Sequence, residues 1–263
     1  MRCYYREKIY ISGQYAEIDV FPVFADSVRS RRKKKSKPTS EVQSQLNARN
    51  AQRRAIRLIN ANFTVEDIKC ELTYSDEHLP ADAEGAQQQL QNFFRRMKRL
   101  RRKKDLGELK YFSTTEQGER NGRLHHHVIC SGGLLPSEIA QLWGRGYVLK
   151  IQPLQFNEEG VVGLARYFTK EKSLYRRYNA SRNLVGPIEY ERTGEISQRD
   201  VKKIAGCGED TGAASMHYRQ EYALEWRITS SQVVMNEFNG LPYITIRMCR
   251  EKGRYAAGFG KGA

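Results

Sequence analysis

From Ile68 to Tyr74 apolar and polar residues alternate with period two, the pattern of a half-buried strand. Further on, Leu90, Phe93, Phe94, Met97 and Leu100 recur at i, i+3, i+4, i+7 and i+10. This spacing predicts a helix with one core-facing stripe, its other side lined by Arg95, Arg96, Lys98, Arg99, Arg101 and Arg102. Gly107 is expected to end that helix. Leu109–Glu116, Leu124–Cys130 and Gly146–Leu154 predict three more strands, with a short helix over Pro136–Trp143 opened by a proline at a tolerated position. A last helix over about residues 159–173 completes the order β-α-β-β-α-β-α. That order predicts an α+β domain of ferredoxin-like, RRM-like type, with helices on one face of an antiparallel sheet and the other face free to meet a ligand.

The pattern divides the chain into an N-terminal arm and helix (1–62), a central domain (63–185) and a C-terminal extension (186–263) whose fold it leaves open. Tyr4, Tyr5, Ile9, Tyr10, Ile11 and Val20–Phe24 suggest short strands. The run Arg29–Pro38 is too self-repelling to pack and reads as a basic linker. From Thr39 or Ser40 a helix is expected to Asn60, its apolar points Leu46, Ile56 and Ile59 so sparse that it should lean on DNA or on the domain edge. Beyond Asn179 the signal weakens: Arg192–Gly212 is polar and glycine-punctuated, strands are readable only near Gln232–Met235 and Tyr243–Met248, and Gly253–Ala263 looks like a loose tail.

Charge adds a partner to this picture. Lys and Arg number 45 against 30 Asp and Glu, a net +15 gathered into runs, which points to a polyanion and foremost to nucleic acid. The expected phosphate contacts are Arg31, Arg32, Lys33, Lys34 and Lys35 in the linker, Arg95, Arg99 and Arg102 on the charged helix, and Arg182. Five scattered cysteines form no zinc knuckle or disulfide framework and suit a reducing compartment. The N-terminus has no signal-type apolar run, and no stretch nears the roughly 20 apolar residues of a membrane span, so a cytoplasmic protein without a membrane partner is expected.

His125-His126-His127 holds three of the five histidines in a strand-like run. On a strand the outer two share a face, roughly 6–7 Å apart, and the middle one points away into packing. Asn121-Gly122 is a preferred centre for a two-residue hairpin loop. If the loop has that length, Arg120 faces Arg123 and Glu116 faces His127. Glu116, His125 and His127 would then form a three-ligand cluster with open positions. A one-residue slip would turn Glu116 to the opposite face. The mixed nitrogen and carboxylate set suits Mg²⁺ or Mn²⁺, and no His-Glu-x-x-His helix is present to indicate a zinc protease. On the helix after Gly160, the stripe Val161, Leu164, Ala165 and Phe168 faces the core and Tyr167 falls at its border, with Lys170 as its i+3 neighbour. A phenol, with a pKa of about 10, is a poor nucleophile at neutral pH, so a cation such as Lys170 or the metal is a chemical requirement.

Leu72-Thr73-Tyr74, Glu116 to His127 and Tyr167-Phe168-Thr169-Lys170 stand in the order of three motifs that resemble those of HUH endonucleases, most closely the single-tyrosine rolling-circle replication initiators of phages and plasmids. The family usually has a bulky hydrophobic residue where this chain has His126, and a proline where it has Leu124. The resemblance implies that His125 and His127 bind the metal and that Glu116 completes the site. It further implies that Tyr167 forms a 5′-phosphotyrosine bond while freeing a 3′-hydroxyl, and that Lys170 assists. Position 171 is glutamate, so no second tyrosine follows one turn on, and closing a circle needs a second protomer or reuse of Tyr167. Single-stranded origin DNA is the implied substrate, and the oligomeric state is left open. The chain has no Gly-x-x-x-x-Gly-Lys-Ser/Thr loop, so a host helicase and polymerase would be separate partners.

Two other readings compete. One is a non-catalytic RRM-like binder that stacks bases on Tyr74, Tyr111 and Phe112. The other is a transposase or relaxase sharing the chemistry; relaxases tend to carry the tyrosine before the histidines, whereas Tyr167 follows them.

Overall fold

The computed structural model describes residues 3–24, 41–118, 122–157, 160–169, 178–222, 225–237 and 239–250. In chain order the elements begin with β1 (Cys3–Ser12), β2 (Tyr15–Phe24), α1 (Glu41–Asn62), β3 (Ile68–Thr73), α2 (Ala83–Lys103), β4 (Tyr111–Gln117) and β5 (Leu124–Cys130). They continue with α3 (Pro136–Trp143), β6 (Val148–Pro153), α4 (Val162–Thr169), β7 (Asn179–Ala180) and β8 (Ile188–Thr193). The last are α5 (Gln198–Gly206), α6 (Gly212–Tyr222), β9 (Trp226–Met235) and β10 (Pro242–Arg250). Among the described residues these make two antiparallel five-stranded sheets and six α-helices, an α+β protein. The chain divides into two compact units, one drawn from residues 1–38, 158–160 and 187–263, the other from 39–157 and 161–186.

The second unit has strand order β6-β3-β5-β4-β7. Taken alone, β3, β4, β5 and β6 are the first, second, third and fourth strands of the β-α-β-β-α-β run arranged 4-1-3-2, the ferredoxin-like order expected from the element pattern. Period-two alternation sorts its two faces. Cys70, Leu72, Tyr111, Val128 and Cys130 turn to α2 and α3 and pack with Leu90, Phe93, Phe94, Met97, Ile139 and Trp143. Asp82 caps α2 by accepting from the Gly85 N–H at 2.7 Å, and Gly144, left-handed at φ 56°, closes α3. The helix α2 stops at Lys103, before Gly107, and the chain turns away through left-handed Asp105 and Gly107.

The opposite face of this sheet, expected to be open, is partly covered. Phe168 of α4 packs on Phe112 and on His127, with ring centroids 6.2 and 5.6 Å apart, and Tyr178 stacks on Phe112 at 4.8 Å. The helix α1 packs against α4, and the Val161 N–H donates to Asn60 Oδ1 at 3.2 Å. Ala55, Ile56, Ile59 and Phe63 are buried, so the sparse apolar points of α1 suffice to seat it on protein. Two arginines expected on the charged side of α2 also have structural partners. Arg96 donates to the Leu142 and Trp143 carbonyls at the end of α3, and Arg101, 5% exposed, donates to those of Leu106, Gly107, Ser131 and Gly132.

In the first unit the order is β8-β1-β2-β10-β9. Ser12 pairs with Tyr15 around a two-residue loop in which Gly13 takes φ 59°, as a tight hairpin requires. The β1–β2 hairpin is thus flanked on both sides by strands from the other end of the chain. Tyr5, Ile9, Ile18, Val20, Ile244 and Ile246 pack on Val201 and Ile204 of α5 and on Ala214 and Tyr218 of α6, helices that the polar Arg192–Gly212 stretch did not announce. Among the described residues no helix is long and apolar enough to cross a membrane.

Candidate metal centre

β5 presents His125 and His127 on the α4 side of the sheet and His126 on the α2 side, as strand alternation requires. The Nε2 atoms of the outer pair are 3.2 Å apart, with their rings perpendicular and centroids 4.9 Å apart. Glu116 on β4 completes the group: its Oε2 lies 3.4 Å from His127 Nε2 and 4.0 Å from His125 Nε2. All three ligand atoms fall within 4.8 Å of one another.

The strand register differs from the expected one. Glu116 pairs with His125, and Thr114 pairs with His127. Pairing ends at Gln117 and Leu124, and the Gly118 N–H donates to the Arg123 carbonyl at 2.8 Å, so the connection is longer than two residues. Residues 119–121, and with them the expected Arg120 to Arg123 pair, lie outside the described residues. The shift is two residues, and a two-residue shift preserves the face on which every side chain stands. Glu116 therefore still meets both histidines.

The three side chains fit a small divalent cation. Metal–ligand bonds of about 2.1 Å place neighbouring ligand atoms about 3.0–3.4 Å apart in octahedral or tetrahedral sites. Two of the three separations here fall in that range, and the third needs closure of about half an ångström. Glu116 and His127 are 7% and 6% exposed, so the carboxylate is sheltered from water beside two nitrogen lone pairs. Around them, Thr114 Oγ1 donates to Glu116 Oε1 at 3.3 Å and His125 Nδ1 faces the Arg123 carbonyl at 3.5 Å. A proton on that Nδ1 leaves the His125 Nε2 lone pair turned to the cluster.

His126 holds the strand from behind. Fully buried, it contacts the Tyr74 hydroxyl through Nε2 at 2.6 Å and Thr115 Oγ1 through Nδ1 at 2.9 Å, and packs edge-on to Trp143. Burial, and after it the charges of His125 and His127, push its pKa down to about 3, so it is neutral and serves packing. Tyr74, Tyr111 and Phe112 are 3%, 8% and 0% exposed, which removes the stacking platform that an RRM-like binder would need.

Beside His127 a groove of about 410 Å³ runs between the β3–β6 edge and α4, lined by Lys69, Glu71, Lys150, Gln152, Gln155, Leu164 and Phe168. Glu71 pairs directly with His127 across β3 and β5, and its carboxylate meets Lys150 Nζ at 3.1 Å. Sequence reasoning passed over both. Glu71 was within reach, because counting by two from Thr73 puts it on the histidine face. Tyr167 belongs to α4, next to Phe168, whereas Lys170 lies outside the described residues.

Of the expected phosphate contacts, Arg99, Arg102 and Arg182, distant in sequence, line one groove of about 750 Å³ together with Lys98. Arg95 is exposed nearby on α2 and bonds Asn92 at 3.0 Å. Arg31, Arg32, Lys33, Lys34 and Lys35 lie outside the described residues.

No curated protein and no solved structure matches this chain. Residues 68–172, which begin at β3 and take in Glu116, both outer histidines and Tyr167, match the family model for the replication-associated protein ORF2, and the match supports a role in replication initiation with nucleic acid as partner.

Proposed function

We propose that the chain nicks and rejoins single-stranded DNA to initiate rolling-circle replication, with Tyr167 as nucleophile and with Glu116, His125 and His127 as the holders of Mg²⁺ or Mn²⁺. The observation that carries the reading is the convergence of one buried carboxylate and two imidazole nitrogens within 4.8 Å, on the sheet face where α4 packs. Position 167 follows Leu164 by three residues, so the two are neighbours on the helix surface, and Leu164 lines the groove beside His127. The match of residues 68–172 to a replication-associated family supports the same assignment.

When bound, the divalent cation supplies Lewis-acid polarisation of a scissile phosphate oxygen. Glu116, His125 and His127 orient that cation, and burial of Glu116 keeps water from competing for the carboxylate. The Tyr167 phenolate oxygen attacks phosphorus in line as the bond to the 3′ oxygen breaks. The departing oxygen takes a proton to become a free 3′-hydroxyl, and a 5′-phosphotyrosine remains. Lys170 supplies positive charge to the phenolate and to the phosphate. Rejoining is the reverse attack by a 3′-hydroxyl, and it needs no nucleotide because the phosphotyrosine retains the bond energy. Arg95, Arg99, Arg102 and Arg182, with the basic linker Arg31 to Lys35, hold the strand through its phosphates.

Incubation with circular single-stranded DNA and Mn²⁺ followed by a denaturing gel tests the reading. The parent should give a covalent protein–DNA adduct. Tyr167→Phe should give none while still binding DNA, and His125→Ala should lose adduct formation as well. An adduct that survives in Tyr167→Phe refutes the nucleophile assignment.

A further inference from the structure

β6 meets β3 through an irregular stretch, where Lys69 pairs with Gln152 and Glu71 pairs with Leu149. Lys150 and Ile151 together therefore stand opposite Cys70 alone, which makes a β-bulge. The bulge lets Val148 and Ile151, three residues apart, both pack on the core shared with α2 and α3. That accounts for an extra residue here but not for its being lysine. Lys150 takes φ 53°, a left-handed backbone that glycine adopts freely and that a residue with a Cβ adopts at a steric cost. What the lysine adds is an ammonium group within 3.1 Å of Glu71, in the groove that His127 lines.

We propose that Lys150 is a phosphate-positioning residue: aimed by the bulge and steadied by Glu71, its ammonium binds a nonbridging oxygen of the single-stranded DNA backbone just beyond the metal centre. The inference rests on the nicking reading above. Charge and chemistry in the groove suit that ligand. Lys69 lies along the same wall, Gln152 and Gln155 offer amide donors and acceptors, and Leu164 and Phe168 form an apolar wall against which a base or sugar can lie. The Lys150 side chain is 70% exposed, and an ion pair so open to solvent adds little to the fold. The architecture therefore does not need the lysine.

The backbone makes the test discriminating. Lys150→Gly relieves the left-handed conformation and removes only the ammonium, so a purely structural lysine predicts a variant at least as stable and equal in binding. The measurement is fluorescence anisotropy with a labelled single-stranded oligonucleotide, using the full chain carrying Tyr167→Phe and excess chelator so that no strand is cut. We expect Lys150→Gly to keep its melting temperature or raise it, to bind about 5- to 10-fold more weakly, and to show a slope of log affinity against log salt smaller by about 0.7, the loss of one phosphate contact. Lys150→Arg should keep both affinity and slope. Lys150→Asn, also at ease in the left-handed region, should repeat the glycine result and replaces it if glycine loosens the strand.

Unchanged affinity and slope in Lys150→Gly or Lys150→Asn overturn the proposal, and adduct formation by the parent would then leave the nicking reading standing. A Lys150-dependent slope in a chain that forms no adduct upholds the phosphate contact and removes the nicking. Absence of any binding to the oligonucleotide by the parent overturns both.

Discussion

Glu17 and Glu116 stand on interior strands of two five-stranded antiparallel sheets, buried at 0% and 7% exposure, and they are satisfied in opposite ways. Glu17 accepts from the Tyr15 hydroxyl at 2.7 Å and faces the Arg247 guanidinium, with Nε at 3.9 Å. Glu7, in the same sheet, accepts from the Tyr218 hydroxyl at 2.5 Å. These carboxylates are answered by hydrogen-bond donors. Glu116 receives one bond from Thr114 and turns its other oxygen toward two imidazole nitrogens. Lone pairs gathered together under burial are costly without a cation to share, whereas a carboxylate matched by hydroxyl or guanidinium groups is already complete. The difference separates a buried charge that builds a sheet from one that awaits a ligand.

The strongest way to break this comparison is to neutralise one carboxylate of each kind. Glu116→Gln should lower adduct formation by more than about 100-fold while leaving the metal-free fold unchanged or steadier. Glu17→Gln should leave nicking intact at a permissive temperature and destabilise the protein by roughly 3 kcal/mol, because Arg247 loses its counter-charge. Kinetics paired with urea denaturation measures both, and an exchange of the two phenotypes would refute the distinction.

Mn²⁺ at about 100 times its dissociation constant should stabilise the parent by about 2.7 kcal/mol, read as an upward thermal shift. His127→Ala should show no such shift. A shift that persists in the alanine variant would place the ion elsewhere.

A smaller effect sharpens the structural side. Burial raises the Glu7 carboxyl above its ordinary value of 4.5, outweighing the hydrogen bond from Tyr218 and the nearby charges of His217 and Arg192, which lower it. A raised folded-state pKa means that folding favours the protonated form. The stability tied to Glu7 is then complete below pH 4.5 and is lost as pH rises through the raised value. Glu7→Gln should remove that decline, so the variant gains on the parent as pH rises toward neutrality. Parallel urea midpoints for the two proteins across this range would contradict it.

The ferredoxin-like sheet was legible because its signals are local: the stripe from Leu90 to Leu100 and the alternation from Ile68 to Tyr74 each carry their own period. The histidine face was legible for the same reason, and the placement of Glu116 survived a wrong register because faces repeat every two residues. The longer connection was hidden behind an Asn-Gly pair that also suits a tighter turn. The pairing of β1 and β2 with β8 and β10 left no local trace, since it joins residues more than 150 positions apart. Lys150 was illegible for another reason: within a strand pattern nothing in a lysine announces a left-handed backbone, and only the mismatch between β3 and β6 reveals the bulge.

The central position of the β1–β2 hairpin in its sheet has a consequence for synthesis. On the ribosome this hairpin emerges first with both edges unpaired, and its neighbour β10 is complete only at Arg250. At about 5–20 residues per second that wait lasts roughly 10–50 seconds, while almost all of the histidine-bearing unit, residues 39–186, leaves the tunnel in one continuous stretch. That unit should therefore close before its companion sheet, leaving a nascent hairpin whose open edges invite chaperones or stray strands. Chains stalled after residue 220 should show a protease-resistant 39–186 core and a cleavable hairpin, and early resistance of the hairpin would reverse that order.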